Sequence, residues 1–270
     1  MTGPIRAVSA TNITTALLLA AGTGTRLQPL TNDAPKCLTE VGGVPILGRL
    51  VTNLRAQGFK RLVVVIGHLG GRIQEFLGHH AGGMRIDYVI NPDYRTTNNI
   101  YSLWQARRQI REPFLLVESD IVFEPRMLDG MLQPNKMAVS RILPWMNGAK
   151  VELGSKKRVT CFSVCGDTCV DACQYKTVNI YSLSLASWNK VEERLSLYIS
   201  AGRLNEYYEV VFAEMMADGA LSFDAVFFDS GRWYEIDTMA DLHAAENLFA
   251  RPRSIASRTL KVIEPGAAFA

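Results

Sequence analysis

The 270-residue sequence lacks any run of apolar residues near the roughly 20 that a membrane-spanning helix needs. The nearest approach, residues 16–21, follows Arg6 as the apolar part of a secretion signal would. It is short, however, and leads into a glycine-rich loop rather than a cleavage site of small residues, so it predicts a buried strand. We therefore expect no membrane insertion, a cytoplasmic protein, and a disordered leader over residues 1–12.

An excess of charge of one sign is also missing. Lys and Arg number 29 and Asp and Glu 26, so the net charge is +3, and the basic residues are scattered along the chain. Nucleic-acid binding usually requires a concentrated basic surface, so we expect no nucleic-acid partner. Hydrophobic residues make up 48% of the chain, which is enough for one sizeable core.

Cysteine and histidine are scarce. The five cysteines are an odd number without a secretion signal, which indicates reduced thiols, and the four histidines show no pairing typical of nucleophilic catalysis. The last four cysteines recur every four residues, which on a helix would place them on one face and make a metal site conceivable. The missing Cys-x-x-Cys pair and the turn signal Gly166-Asp167 favour small packed side chains instead. The cysteines are Cys37, Cys161, Cys165, Cys169 and Cys173.

The first half of the chain alternates strand and helix patterns. Strands that are apolar on both faces, separated by helices, predict an α/β fold with a doubly wound, mostly parallel, Rossmann-like sheet. Ligands bind beyond the carboxyl ends of such strands, so the loops after the first, third and fourth strands should carry the chemistry. The predicted strands are residues 14–21, 61–66, 85–90 and 114–117, and the predicted helices are 46–57, 73–77 and 98–109.

The second half is less regular and has neither internal repeats nor a low-complexity linker. We expect one domain over residues 13–250, composed of the halves 13–130 and 131–250, with a small antiparallel insertion in the second half and a C-terminal tail at 251–270. The predicted strands are residues 159–164, 177–183, 225–229 and 232–236, and the predicted helices are 188–201, 207–218 and 240–248.

The strongest functional signal is LLLAAGTGTRLQPLTNDAPKCL at residues 17–38. A buried strand ends in a loop with Gly22 and Gly24, which can wrap a triphosphate with backbone N–H groups. Arg26 and Lys36 add positive charge where phosphates must be held. The third glycine of the dinucleotide-binding fingerprint is missing, and so is the Gly-Lys-Ser/Thr ending of the P-loop, which argues against both of those sites.

Residues 20–31 (A-A-G-x-G-T-R-L-x-P-L-T), Pro35-Lys36 and residues 42–47 (G-G-x-P-I-L) together resemble the sugar-phosphate nucleotidyltransferase superfamily. The resemblance extends over residues 14–249 and implies a GT-A-like nucleotidyltransferase fold. It also implies that Arg26 and Lys36 are catalytic and contact the phosphates at the reacting centre. The nucleoside triphosphate would be bound by Leu19, Ala20, Ala21, Gly22 and Gly24.

Two acidic stretches carry the predicted metal ligands. Glu118-Ser119-Asp120 follows the fourth predicted strand, and Asp237 lies in Trp233-Tyr234-Glu235-Ile236-Asp237-Thr238. Carboxylates beside phosphates suit Mg²⁺. The resemblance implies that Asp120 and Asp237 hold this ion. Taken alone, either aspartate is more often a solvated loop residue or a helix cap, and Asp237 precedes a helix that it could cap.

Residues 91–103, 176–181 and 207–209 resemble the cytidylyltransferases that act on phosphocholine, 2-aminoethylphosphonate and related small head groups. This resemblance implies a Mg²⁺-dependent reaction of CTP with a small phosphate or phosphonate, with release of pyrophosphate. It also implies that Asn91 and Asn99 contact the base, and an amide that donates and accepts suits cytosine. The competing interpretation, which applies to Asn98 in particular, is an asparagine that only caps the helix containing Ile100.

The acceptor-binding residues are expected in the second half. Lys176 is the candidate for the acceptor's phosphate or phosphonate, and a plain surface lysine is the alternative. Tyr207, Tyr208, Glu209 and Glu235 are candidates for its other end, because aromatic faces and a carboxylate suit an ammonium group. Packing alone is an equally good interpretation for one tyrosine of the pair Tyr207-Tyr208.

Other functions stay open at this stage. A hexose-1-phosphate uridylyl- or thymidylyltransferase would use the same chemistry on another acceptor. A glycosyltransferase is disfavoured by Arg26 and Pro35-Lys36, and a catalytically silent regulatory nucleotide-binding subunit by the presence of every charged motif residue. The sequence leaves the identity of the acceptor and the oligomeric state undetermined.

Overall fold

A computed structural model describes residues 12–143, 146–164, 175–229 and 231–250 of the chain. Within these residues there are fourteen strands and six α-helices. The strands are β1 (Thr15–Ala20), β2 (Glu40–Val41), β3 (Val44–Pro45), β4 (Arg61–Ile66), β5 (His80–Ala81), β6 (Met84–Ile90), β7 (Phe114–Glu118), β8 (Ile121–Phe123), β9 (Lys136–Arg141), β10 (Lys150–Leu153), β11 (Val159–Ser163), β12 (Tyr175–Leu183), β13 (Asp224–Phe227) and β14 (Trp233–Glu235). The helices are α1 (Ile46–Ala56), α2 (Gly70–Leu77), α3 (Asn99–Ala106), α4 (Leu185–Ser200), α5 (Tyr208–Ala217) and α6 (Met239–Phe249).

Four strands from the first half form the parallel region of the sheet. They lie in the order β7-β1-β4-β6. Strand β1 is paired with β7 along one edge and with β4 along the other, and every one of its residues is buried. From β1 the chain adds β4 and β6 on one side and then returns to place β7 on the other. The direction of strand addition therefore reverses between β1 and β7, and a crevice forms there at the carboxyl ends.

Helices cover both faces of the parallel region, as the doubly wound prediction requires. Along β1, Leu17 and Leu19 face a core shared with α3, α4 and α5, whereas Ala16 and Leu18 face a core shared with α1 and α2. This division follows from the strand period of two residues. The predicted α/β fold class is confirmed.

The second half extends the same sheet with mostly antiparallel strands, which we call the mixed region (β9–β13). β12 runs antiparallel beside β7, pairs with β9 along its other side, and pairs with β10 near its start. β13 joins β9 in parallel. The register of β12 against β9 shifts between Thr177 and Tyr181, where Asn179 takes a positive φ of 56°. The bulge lets one long strand bend from one neighbour to the next.

A two-stranded ribbon, β8 paired antiparallel with β14, lies beside the main sheet. Its register aligns Trp233 with Phe123 and Glu235 with Ile121. Leu27, Val122 and Ile236 form a small core with α6 beneath it. The sequence analysis missed β8 because three residues are too short for a periodic signal.

The structure also bears on the predicted strands and helices, the cysteines and the chain termini. The predicted strands and helices are all present to within a few residues, but the two-residue strands β2, β3 and β5 and the longer strands β9 and β10 were not predicted. Cys37 is buried and Cys161 lies in β11, while the other three cysteines, most of the predicted leader and the predicted tail lie outside the described residues. No helix in the described ranges is long and apolar enough to cross a membrane. The division at residue 130 into two functional halves stays a prediction.

Candidate active site

The loop after β1 folds back onto Lys36. Gly24 adopts a φ of +65°, a left-handed conformation that glycine accepts without strain, and the Thr31 hydroxyl donates to its carbonyl oxygen at 2.8 Å. A Cβ on Gly24 would lie 3.1 Å from side-chain carbons of both Lys36 and Thr31, whereas a Cβ on Gly22 would meet nothing within 4 Å. Gly24 is therefore needed for the loop's own packing, and Gly22 presents open backbone.

The ribbon brings Asp120 and Asp237 together from distant parts of the chain. Asp120 lies in the turn between β7 and β8, and the Ile236 N–H donates to the Asp120 carbonyl oxygen at 2.9 Å. Asp237 follows directly and precedes α6. The helix is capped by Thr238, whose side chain accepts from the Asp241 N–H, so Asp237 is not needed as the cap and its carboxylate faces the crevice.

Two cations neutralise these carboxylates. The Lys36 ammonium lies 2.7 Å from Asp120 Oδ2 and 2.7 Å from Asp237 Oδ1, and the Arg26 guanidinium lies 2.7 Å from the same Asp237 oxygen. Burial lowers the pKa of Lys36, but the two carboxylates outweigh burial and raise this pKa above its usual value. Lys36 is therefore fully charged at neutral pH.

The carboxylate pair fits a magnesium ion that also binds phosphate oxygens. Asp120 Oδ1 is buried and has no hydrogen-bond partner among the described residues, so this oxygen is available to coordinate a cation. The same residues contain no cluster of three or more His, Cys, Asp or Glu side chains that would form a complete protein cage. Mg²⁺ commonly takes one or two carboxylates and completes its shell with substrate phosphates and water.

A cleft of about 950 Å³ opens at the crevice between β1 and β7. Leu19, Ala21, Gly22 and Gly24 line it, as expected for nucleotide binding. Ala20 does not: it packs in the opposite core, because successive strand residues point to opposite faces. The predicted contact of Ala20 with the nucleotide stays a prediction. The other residues that line the cleft include Arg26, Lys36, Asn91, Asn98, Asn99, Glu118, Asp120, Tyr207 and Asp237.

Asn91 and Asn99 border the cleft, but protein groups already engage their side chains. Asn91 donates to the Ser102 hydroxyl at 3.1 Å and accepts from the Asp93 N–H at 3.0 Å. Asn98 caps α3 by accepting from the Asn99 N–H, as the competing interpretation held. These hydrogen bonds fix the positions of the asparagine side chains at the border of the cleft. Contact of Asn91 and Asn99 with the base stays a prediction.

The side chain of Asn99 joins three elements. Its nitrogen lies 3.3 Å from Glu118 Oε1 and 3.4 Å from Glu209 Oε2, and its oxygen accepts from the Tyr208 N–H at 2.9 Å. These contacts tie the end of β7 to the first turns of α3 and α5. Burial, with Glu209 and Asp120 adding, raises the pKa of Glu118.

A second cavity of about 480 Å³ adjoins the cleft, and the two share Arg26 and Asp237. Lys176 from β12 reaches into it with a side chain that is only 4% exposed. Its ammonium lies 2.6 Å from Glu235 Oε2 and 5.7 Å from the centre of the Trp233 ring. Lys176 is thus a buried charge at the junction of the sheet and the ribbon, and the plain surface-lysine interpretation is wrong.

Tyr208 and Glu209 do not line this cavity, which corrects the expected acceptor site. Tyr208 is fully buried and packs against Tyr181 and Phe212, with ring centres 6.0 and 5.1 Å away. Glu209 lies behind Asn99, where burial, with Glu235 and Asp120 adding, raises its pKa to about 7. Tyr207, by contrast, is 55% exposed and lines the nucleotide cleft. Tyr207 is the N-cap of α5 and Tyr208 is its first residue. The sequence pattern did not indicate which of the two side chains packs into the core.

Asn179 is a site residue that sequence reasoning passed over. Its side-chain nitrogen lies 3.2 Å from Glu235 Oε1, so Glu235 is held by both Lys176 and Asn179. The positive φ at Asn179 forms the bulge that bends β12 beside the cavity. An asparagine inside an otherwise β-branched and aromatic strand was the available signal, because asparagine tolerates the left-handed region better than most residues.

Known proteins are similar to this chain in sequence and in fold. Residues 16–148 match the MobA-like NTP transferase domain family. The chain is 32% identical over 258 residues to the CMP-5'-(3-aminopropyl)phosphonate synthase of Streptomyces rubellomurinus, covering 88% of this chain and 39% of that protein. It is 24% identical over 237 residues to the choline-phosphate cytidylyltransferase of Streptococcus pneumoniae, covering 86% of this chain and 97% of that protein.

The solved structure of CTP:phosphocholine cytidylyltransferase from Streptococcus pneumoniae superposes with a TM-score of 0.76 at 20% identity, covering 88% of this chain and 99% of that one. This likeness establishes the fold. The chain spans about two fifths of the length of the phosphonate synthase. With the match over residues 16–148, these findings confirm the predicted resemblance to nucleotidyltransferases, cytidylyltransferases among them, and support the predicted enzyme class.

Proposed function

We propose that the protein is a magnesium-dependent cytidylyltransferase that transfers CMP from CTP to a small phosphate or phosphonate and releases pyrophosphate. The observation that supports this most strongly is the meeting of two cavities at Arg26 and Asp237. One cavity has the size and glycine-lined wall that suit a nucleoside triphosphate. The other is smaller and contains a buried lysine that suits an anionic acceptor.

In this proposal Arg26 and Lys36 bind the phosphates of CTP, and the open backbone at Gly22 lets them approach the end of β1. Asp120 and Asp237 would hold Mg²⁺, which when bound neutralises phosphate charge and lowers the barrier to displacement. Lys176 would bind the anionic head of the acceptor and orient one oxygen towards the α-phosphorus. Positioning of this kind supplies a large part of the rate enhancement in phosphoryl-type transfers.

The reaction itself needs few protein groups. The acceptor oxygen forms a bond to the α-phosphorus, the bond from that phosphorus to the bridging oxygen breaks, and pyrophosphate leaves with the electron pair. The acceptor is already an anion at neutral pH, so no strong general base is required. The main barrier is repulsion between two anions, about 4 kcal/mol for each pair of charges 4 Å apart at an effective dielectric of 20. The cations of the site offset this repulsion.

The choice of CTP and of a small acceptor has separate support. The names of the relatives specify a CMP-phosphonate product in one case and choline phosphate in the other. Glu235 and the Trp233 ring beside Lys176 would suit an amino group at the acceptor's other end.

The test is pyrophosphate release with Mg²⁺, each of the four nucleoside triphosphates, and a panel of acceptors. The panel contains choline phosphate, ethanolamine phosphate, 2-aminoethylphosphonate, 3-aminopropylphosphonate and hexose-1-phosphates. We expect release only with CTP and a small head group. Release only with UTP or dTTP and a sugar phosphate would replace this proposal with the hexose-1-phosphate function. No release with any pair would favour a regulatory subunit.

A further inference from the structure

Lys36 occupies the place between the two carboxylates that a metal ion would take. Its ammonium lies 2.7 Å from one oxygen of Asp120 and 2.7 Å from one oxygen of Asp237. We propose that Lys36 is an internal stand-in for the metal, so that a divalent cation must displace the ammonium in order to bind. This inference rests on the metal centre of the proposed function.

The charges of the resting cluster are already balanced. Two carboxylates, Asp120 and Asp237, face two cations, Lys36 and Arg26. Asp237 Oδ1 forms ion pairs with both cations, and Asp120 Oδ2 forms an ion pair with Lys36 alone. A divalent ion added to this cluster creates a surplus of two positive charges in a partly buried site. Such a surplus is unfavourable unless a polyanion arrives with the ion.

The surroundings of Lys36 limit how far its ammonium can withdraw. The side chain is 14% exposed, and its Cβ lies 3.1 Å from the point where a Cβ on Gly24 would stand. The stem is therefore held by the phosphate-binding loop, and the ammonium has to swing towards the cleft. Phosphate oxygens of a nucleotide in that cleft are the partners it would meet.

One atom marks the route by which the metal enters. Asp120 Oδ1 is the buried carboxylate oxygen that lacks a hydrogen-bond partner among the described residues, while Oδ2 of the same group holds Lys36. Asp120 Oδ1 would be open to a divalent cation while Lys36 still holds Oδ2, and the oxygens held by Lys36 would become available once its ammonium left. Metal and nucleotide thereby bind cooperatively, because the metal frees Lys36 for phosphate and the phosphate accepts the freed charge. By linkage, each ligand must raise the affinity of the other by the same factor.

The experiment measures binding of Mn²⁺ alone, without nucleotide, by electron paramagnetic resonance of the free ion. Mn²⁺ favours the same oxygen ligands as Mg²⁺. Lys36→Gln should bind Mn²⁺ about tenfold more tightly than the unaltered protein, because the competing charge is gone. Lys36→Arg should bind like the unaltered protein. Lys190→Gln makes the same charge change on the exposed surface of α4 and should leave the affinity unchanged.

Further arms separate the possible outcomes. Asp120→Asn should abolish the tight Mn²⁺ site of Lys36→Gln, which locates the ion. Equal or weaker Mn²⁺ binding by Lys36→Gln would overturn the stand-in role while leaving the metal centre in place. Absence of Mn²⁺ binding in every variant, with or without CTP, would overturn both.

A variant at Arg26 guards against misfolding of the Lys36 variant. If circular dichroism shows that Lys36→Gln does not fold, Arg26→Gln removes the more exposed cation from the same Asp237 oxygen. That variant should tighten Mn²⁺ binding by a smaller factor, of about threefold. No change in affinity with a folded Arg26→Gln protein would count against displacement of resident cations as the control of metal binding.

Discussion

The parallel and mixed regions of the sheet place their functional side chains in different ways. In the parallel region the residues stand in loops just beyond strand ends, and Gly22 and Asp120 follow β1 and β7 within two residues. In the mixed region Lys176 stands within a strand, and its side chain is 4% exposed beside Glu235. Loop residues at a sheet edge are positioned by the sheet as a whole. A residue inside a strand depends on that strand's bend and on a few specific partners.

This difference predicts how tolerant each region is. Loss of a loop side chain in the parallel region should remove function and leave the fold, because little else depends on it. Loss of a buried charge in the mixed region should affect its partners as well, because a carboxylate is left behind without its cation. The variants below test this contrast, from the largest expected effect to the smallest.

Asp120→Asn should lower turnover by roughly two to four orders of magnitude, because the amide cannot hold a divalent cation beside the phosphates as a carboxylate does. The fold should persist, since the Asp120 backbone contact to Ile236 does not involve the side chain. Pyrophosphate release and thermal unfolding measure the two effects. Near-normal turnover would rule out Asp120 as a metal ligand.

Lys176→Gln should raise the KM for the acceptor by about 10- to 100-fold and leave the KM for CTP unchanged, because only the acceptor's anion loses its cation. The variant should also be less stable, since Glu235 keeps Asn179 but loses its ion pair. Steady-state kinetics with each substrate varied separately gives the answer. Lys150→Gln, at the register partner of Lys176 on β10, is the matched control and should change neither KM. An equal rise in both KM values would contradict acceptor binding by Lys176.

Gly24→Ala and Gly22→Ala form a pair within one loop. Gly24→Ala should lower the free energy of unfolding by about 1–3 kcal/mol, because a side chain is strained at φ +65° and its Cβ crowds Lys36 and Thr31. Gly22→Ala should leave stability unchanged, since a Cβ there meets nothing within 4 Å, yet it should weaken CTP binding by intruding on the cleft. Urea unfolding and titration with CTP distinguish the two. Equal loss of stability in both variants would show that the two glycines serve the same structural role.

The effect of Glu209→Gln should be confined to stability, and it should depend on pH. The pKa of Glu209 is raised from 4.5 to about 7, so between these values the folded protein holds a proton that the unfolded chain has released. The free energy of unfolding therefore falls as pH rises through this window and levels off above it. Glu209→Gln removes this penalty and should be more stable than the unaltered protein by about 1–3 kcal/mol at pH 8, with little difference at pH 4.

Urea unfolding at several pH values measures this slope. Glu246→Gln, on the exposed face of α6, is the control and should leave the slope unchanged. A Glu209→Gln protein that keeps the slope of the unaltered protein would place the titrating proton on another group.

The sequence predicted the parallel region better than the mixed one. β1 and β4 have apolar residues on both faces, and that composition by itself indicates a buried parallel strand. β9 (KMAVSR) and β10 (KVEL) carry charged or polar residues beside short apolar stretches and were missed, because their stability comes from neighbours that join them from distant parts of the chain. The same limit applied to the site. Gly22, Arg26 and Lys36 lie close together in sequence. Which of Tyr207 and Tyr208 is exposed, by contrast, depends on how the start of α5 packs against the core.

The sequence by itself determined the alternation of strands and helices in the parallel region, the glycine loop, and the acidic and basic residue types that phosphate chemistry requires. These are local properties, since apolar periodicity and backbone freedom depend on residues a few positions apart. Only the tertiary structure decided that Asp120 and Asp237 share one ammonium and that Lys176 is buried against Glu235. Those contacts depend on the ribbon of β8 with β14 and on the bulge in β12, and pairing between distant strands is set by the packing of the whole sheet.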